Sequence, residues 1–233
     1  MQAVSIGGGN LGNVLQVGES PSPEVVAEAA PPIFKEWPKI VRLSKSVCIV
    51  TEKIDGTNAA FHVVDGKVVA VQSRNRFIQP GRDNYGFAAW VHENAETLVA
   101  DLGDGVHFGE WWGAGIGPRG YTQSERFFSL FNAARFTAQA PYFTTPRLRV
   151  VPILAQGPTA EQPWVSAMTF LREVGSVAMP GHRNPEGLVV CVRDANHLWK
   201  ILCENDNLHK GQCSECGLNG NTHKMSCSAG SND

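Results

Sequence analysis

Residues 59–64, the dipeptide Asp65-Gly66 and residues 67–72 constrain the fold more than any other part of the chain. Two apolar runs joined by a two-residue Asp-Gly connection form a β-hairpin, because such a turn supplies the backbone twist that the flanking strands need. A lone hairpin is marginal in water and requires further strands or a helix over its apolar face. Setting Val64 opposite Lys67 and counting back puts Ser73 opposite Asn58 and Arg74 opposite Thr57. The segment Ser73-Arg74-Asn75-Arg76 therefore returns to the start of the hairpin. An apolar run, residues 47–50, leads into that start through Thr51-Glu52-Lys53-Ile54-Asp55-Gly56-Thr57-Asn58.

Downstream, Phe87, Trp90, Val91, Leu98, Val99 and Leu102 recur at helical spacing over residues 84–102, and Gly103 is a natural stop. Residues 106–113 read as a strand with Glu110 set among aromatics, followed by a glycine-rich loop to Gly120; residues 127–132 and 148–154 read as two more strands. Trp164, Met168, Leu171 and Val174 predict an amphipathic helix over 162–174, and two strands, 186–193 and 197–203, flank the turn Asp194-Ala195-Asn196. Strands dominate and pair with near neighbours, which argues an α+β domain of antiparallel sheets with flanking helices.

A chain of 233 residues can bury one good core and a small appendage. With 42% hydrophobic and 18% charged residues and a net charge of -2, it has no overall basic surplus, so any polyanion site must be local. No apolar run approaches the ~20 residues of a membrane helix, and the first residues lack the basic-then-apolar order of a signal peptide, so a cytoplasmic protein is expected. Cys48, Cys191 and Cys203 stand singly in apolar runs and read as reduced thiols. Residues 1–32, rich in Gly, Ser, Pro and Ala, read as a mobile arm before a domain over 33–210. Gly7-Gly8-Gly9-Asn10-Leu11-Gly12 matches a dinucleotide fingerprint, but the long helix that must follow is cut at Gly18 and Pro21.

Lys53 closes an apolar run with carboxylates on both sides and a glycine three residues on. That is a seat for a nucleophile, since an amine attacks only when deprotonated and neighbouring groups control how often it is. Read in order, Lys53-x-Asp55-Gly56, Ser73-Arg74, Phe108-Gly109-Glu110, residues 128–131, Glu186-Gly187 and Lys200 form a set that resembles the covalent nucleotidyltransferase superfamily of ATP-dependent ligases and capping enzymes. Residues 52–58 and Phe108-Gly109-Glu110-Trp111 look most like the RNA ligase 2 family and related phage-type RNA ligases.

The resemblance implies a nucleotidyltransferase domain that uses ATP and Mg²⁺ (or Mn²⁺) and acts on RNA ends. Lys53 would attack the α-phosphorus of ATP to give a lysyl-AMP. Glu52 would meet the adenine edge, Asn58 the ribose or phosphate region, and Arg74 a phosphate, a task its fork of donors suits. Glu110 would accept from the ribose hydroxyls, and Phe131, rather than Phe128, would stack on adenine. Glu186 would hold the divalent cation, and Lys200 would neutralise charge on the α-phosphate.

Three departures stand out. The last motif of the family carries two lysines one residue apart, whereas Leu198 and Leu202 flank Lys200 at those offsets; Asn132 replaces a common acidic residue; and 33 residues follow Lys200, fewer than the second domain of many relatives. Self-adenylylation is thus better supported than end-joining, for which a protein partner could replace that domain. In the tail, residues 211–233, Cys213, Cys216, His223 and Cys227 supply four soft ligands, read either as a Zn²⁺ site or as incidental cysteines. The alternatives are a capping-type guanylyltransferase or DNA ligase, and a catalytically incomplete nucleotide- or nucleic-acid-binding protein.

Overall fold

The computed structural model describes residues 33–37, 40, 42–121, 124–195 and 197–204. They fall in two units divided after Lys39. Of the first unit only residues 33–37 are described, and they form no helix or strand, with Ile33, Phe34 and Trp37 81–94% exposed. Among the described residues no helix is long and apolar enough to cross a membrane.

The second unit holds two sheets. In chain order its elements are β1 (Val47–Lys53), β2 (Thr57–Val64), β3 (Lys67–Ser73), β4 (Phe77–Ile78), α1 (Phe87–Glu93), α2 (Ala95–Leu102), β5 (Gly105–Gly113), β6 (Arg126–Leu130), α3 (Ala133–Phe136), β7 (Leu148–Val150), β8 (Ile153–Pro158), α4 (Pro163–Val174), β9 (Gly187–Val192) and β10 (His197–Leu202). One sheet runs β10-β9-β1-β8 and the other β4-β3-β2-β5-β6-β7. Among the described residues only the β6–β7 pairing is parallel. The architecture is the α+β arrangement of antiparallel-rich sheets that the strand pattern predicts.

Period-two alternation sorts each strand's residues between a helix side and a cleft side. From the larger sheet, Phe61, Trp111 and Phe128 pack with Phe87, Trp90 and Leu98 of α1 and α2. From the smaller one, Cys48, Val50, Leu188 and Val190 pack on Met168 and Leu171 of α4. A third cluster, including Ile54, Trp112, Tyr121, Phe127 and Val151, fills the region where the chain crosses between sheets. It crosses after β1, through residues 54–56, and again between β7 and β8. The single strand expected over 148–154 is thus two strands in different sheets, because Val151 and Pro152 carry the chain across and Pro152 has no N–H for a ladder.

The hairpin forms as expected, with Asp65 and Gly66 at φ 50° and 68°. Its register does not run as counted. A bulge between His62 and Val63 places Ser73 opposite Ala59, one residue from the expected Asn58, and so carries Arg74 level with Asn58. The helix expected over 84–102 is two helices broken at Asn94 (φ -115°, ψ 18°), whose side-chain amide donates to the Trp90 carbonyl at 2.7 Å. The apolar positions still meet one core, since Phe87, Trp90, Val91, Leu98 and Leu102 are all buried. In α4, Met168 and Leu171 are buried while Val174 is 52% exposed. Cys48 is buried, Cys191 and Cys203 are half-buried, and all three are free thiols.

Candidate active site

Lys53 is the last residue of β1, where the strand leaves one sheet for the other. The turn that follows can be this tight only with glycine at 56: a Cβ there would lie 2.5 Å from the Trp111 carbonyl oxygen and 2.8 Å from Trp112 Cβ. Gly56 thereby lets the turn after β1 lie against β5, beside Glu110. Gly109 plays the matching part on β5, since a Cβ would fall 2.5 Å from the Ser129 carbonyl oxygen and 2.6 Å from the Phe128 ring. The Lys-x-Asp-Gly and Phe-Gly-Glu patterns are packing statements as well as chemical ones.

A cleft of about 740 Å³ opens between the sheets, lined by Lys53, Asn58, Arg74, Glu110 and Phe131 among others. Lys53 Nζ lies 2.6 Å from Glu186 Oε2. Asn58 and Glu110 are cross-strand neighbours. The Asn58 amide donates to Glu110 Oε2 at 2.8 Å, and Arg74 Nε donates to Asn58 Oδ1 at 2.8 Å, with a second donor of the same guanidinium on that oxygen. Arg74, Asn58 and Glu110 thus form one relay along the cleft wall. Burial pushes the Glu110 carboxyl from the ordinary value of 4.5 up to about 7; Lys53 and the Asn58 amide pull it down, while Glu186 and Asp55 push it further up.

Phe131 follows β6 and is 44% exposed, whereas Phe128 is fully buried on the helix side. Asn132 caps α3, its side chain accepting from the Arg135 amide at 3.2 Å. Lys200 lies opposite Val189 on β10 and is exposed; Leu198, two residues before it on the same face, lines the cleft with Val189. Glu52 also borders the cleft, yet both its oxygens are taken by the segment after α4, with Val177 and Ala178 amides donating at 2.8 and 2.9 Å. Its partners are these two amides and the Ser176 hydroxyl, where an adenine edge was expected. Cys213, Cys216, His223 and Cys227 lie outside the described residues.

Two carboxylate oxygens beside the lysine bear on a cation. Asp55 Oδ2 is buried without a hydrogen-bond partner, and Glu186 Oε2, also buried, is reached among the described residues by the Lys53 ammonium alone. Among the described residues no group of three or more His, Cys, Asp or Glu side chains could enclose a metal ion. Two buried hard oxygen donors beside the lysine fit Mg²⁺ or Mn²⁺, which take one or two carboxylates and complete their shell with phosphate oxygens and water.

Tyr121 is a site residue that the sequence does not announce. Its phenol oxygen accepts from the Asp55 amide at 3.0 Å, and its ring meets Trp112 and His182 at 5.1 and 4.8 Å. Burial raises the phenol above its ordinary range, so it stays protonated. Arg119, in the same glycine-rich loop, donates to Asn184 Oδ1 at 2.6 Å and to the Pro185 carbonyl at 3.0 Å. Only the shared glycine-rich spacing hinted at this loop, because each partner lies more than 60 residues away.

The RNA ligase family model matches residues 46–204. Among solved structures, the Naegleria gruberi RNA ligase with PPi is similar at 18% identity and a TM-score of 0.50, over 69% of this chain and 50% of that one. A variant of the same ligase with ATP and Mn is 18% identical with a TM-score of 0.49, over 69% and 50% of the two chains. The chain therefore spans about half the length of that ligase. Comparison with curated proteins yields no match. The family match takes in every described element from β1 to β10, including the crossing that carries Lys53 and the segment that carries Glu186, and on it this chain belongs to the RNA ligase family.

Proposed function

We propose that residues 33–210 form the self-adenylating core of an ATP-dependent RNA ligase, with Lys53 as nucleophile, residues 1–32 as an arm and residues 211–233 as a tail. The observation that carries the reading is the position of Lys53: at a sheet crossing, on the wall of a cleft large enough for a nucleotide, with Glu186 2.6 Å from its amine. Nζ must shed a proton before it attacks, and Glu186 is an acceptor already in contact. The lone pair then forms the N–P bond to the α-phosphorus as the bond to the β-phosphate oxygen breaks and pyrophosphate leaves. Asp55 and Glu186 would hold the divalent cation, which when bound neutralises phosphate charge.

Phe131 is placed to stack on the base and Glu110 to meet the ribose, with Asn58 and Arg74 holding Glu110 and reaching phosphate. Lys200 supplies positive charge from β10, two strands from β1 in the same sheet. Transfer of AMP from Lys53 to the 5′-phosphate of an RNA end, and displacement of AMP by a 3′-hydroxyl, complete the reaction. A second reading, a nucleotide-binding module without the chemistry, draws on Leu198 at the cleft wall, an apolar side chain where the family pattern has a lysine.

The test is incubation with each α-labelled nucleotide and Mg²⁺, followed by denaturing electrophoresis and intact mass. The protein should gain one AMP, and Lys53→Ala should gain none. Label surviving that substitution would place the nucleophile elsewhere, stronger labelling by GTP would favour a capping enzyme, and no label with any nucleotide would favour the binding module.

A further inference from the structure

Glu52 is 2% exposed and stands one residue before the nucleophile. Its carboxylate accepts three hydrogen bonds, all from one segment: the Ser176 hydroxyl on Oε1 and the Val177 and Ala178 amides on Oε2. That segment is also closed on itself. The Met179 amide donates to Ser176 Oγ at 3.0 Å, the Ser176 amide to the His182 carbonyl at 2.9 Å, and the His182 amide to the Met179 carbonyl at 3.0 Å. Its far end is gripped by Arg119 at Asn184 and Pro185, and the next residue is Glu186, whose Oε2 meets Lys53. A ring of contacts thus runs from Glu52 through residues 176–186 to Glu186 and back to Lys53.

We propose that Glu52 is a positioning residue for the nucleophile: its three hydrogen bonds hold residues 176–186 so that Glu186 stays on Lys53, and it does not read the nucleobase. The inference rests on the reading of Lys53 as the adenylylated residue. An acceptor that reads a base must be aimed into the pocket, whereas Glu52 is buried with both oxygens turned to residues 176–178. Removing the carboxylate strands a hydroxyl and two amides, and the segment can restore their hydrogen bonds only by moving. Glu186 moves with it.

The first measurement uses full-length protein free of metal and nucleotide, so that it does not depend on ligase activity. The rate at which Lys53 is acetylated by an N-hydroxysuccinimide ester is read by peptide mass spectrometry against exposed Lys67. An amine released from its 2.6 Å contact with Glu186 reaches the ester more freely, so Glu52→Ala should raise the rate severalfold. Glu186→Gln should match it, and Ser176→Ala, which removes one of the three bonds to the carboxylate along with the acceptor of the Met179 amide, should move part of the way. Glu52→Gln keeps a carbonyl oxygen for the two amides and should stay near wild type.

The second measurement is single-turnover adenylylation. Glu52→Ala should lose about a hundredfold at saturating ATP, as expected for a misplaced reacting group. Its ATP half-saturation and its preference for ATP over GTP should be unchanged. Wild-type acetylation rates in both Ser176→Ala and Glu52→Ala would overturn the proposal. So would a full saturating rate combined with lost ATP preference, which would return Glu52 to base recognition. Ser176→Ala and Glu52→Gln keep the test decisive if Glu52→Ala fails to fold. Should Lys53 prove not to be adenylylated, the functional reading fails while the acetylation result still decides what Glu52 holds.

Discussion

Glu110 shows how one residue's surroundings set measurable behaviour. The folded protein holds its proton up to about pH 7, while an ordinary glutamate releases it near 4.5. Between those values the folded state binds the extra proton, so this group's contribution to stability is present below pH 4.5 and is lost as pH rises through 7. A shift of that size corresponds to at most about 3 kcal/mol. Glu110→Gln keeps an acceptor for the Asn58 amide and removes the titration. Melting curves from pH 5 to 8, without metal, should therefore fall more steeply for wild type than for the variant; parallel curves would show that Glu110 titrates as an ordinary carboxyl. Phe131 belongs to the same scale. Being 44% exposed at the cleft, it adds little to the core, so Phe131→Ala should leave the melting temperature nearly unchanged while weakening ATP binding by roughly 1–3 kcal/mol, the worth of a stacking platform. Titration calorimetry separates the two effects.

Elements here are held by groups outside them. Helix α1 begins at Gly86, which has no side chain to cap it, and Asp83 supplies the missing acceptors, taking the Ala88 and Ala89 amides at 2.8 and 3.0 Å. Asp83→Ala should cost about 1–2 kcal/mol in denaturant melts, in the range of a lost helix cap, with the nucleotide site spared. The turn after β1 is under tighter constraint. Gly56→Ala forces a Cβ to 2.5 Å from the Trp111 carbonyl oxygen, so the turn after β1 must draw back from β5. The loss should be about 1–3 kcal/mol of stability together with most of the adenylylation rate. A variant that melts lower but reacts normally would show that the approach of this turn to β5 is not what sets Lys53.

At the scale of the whole molecule, the family match ends at residue 204 and takes in the described residues that line the cleft. Ending the chain after Lys210 should leave lysyl-AMP formation nearly intact, while sealing of a 5′-phosphorylated RNA falls further. Forming lysyl-AMP needs only the pocket, but sealing needs a polyanion held in register by phosphate contacts, which weaken steeply with salt. The same comparison should show sealing declining faster than adenylylation as salt rises. Metal analysis of the two forms tests the tail: about one zinc in the full chain and none in the truncated one is expected if Cys213, Cys216, His223 and Cys227 bind it.

What the sequence by itself determined is what short-range physics dictates. Asp65-Gly66 between two apolar runs required a hairpin, period-two patterning required strands, and Gly56 after Lys53 and Asp55 marked a turn at the end of a strand. It did not determine where those strands belong. The register of β3 slipped by one at a bulge, which arises from how both faces pack and leaves no mark in a two-residue turn. The run 148–154 was divided between sheets, since a strand's pattern reports that one face is buried but not against which partner. Glu52, Tyr121 and Arg119 acquired their partners only in three dimensions. Hydrogen bonds across 65 to more than 120 residues are fixed by the crossing of two sheets, and nothing local to any one of these residues encodes that crossing.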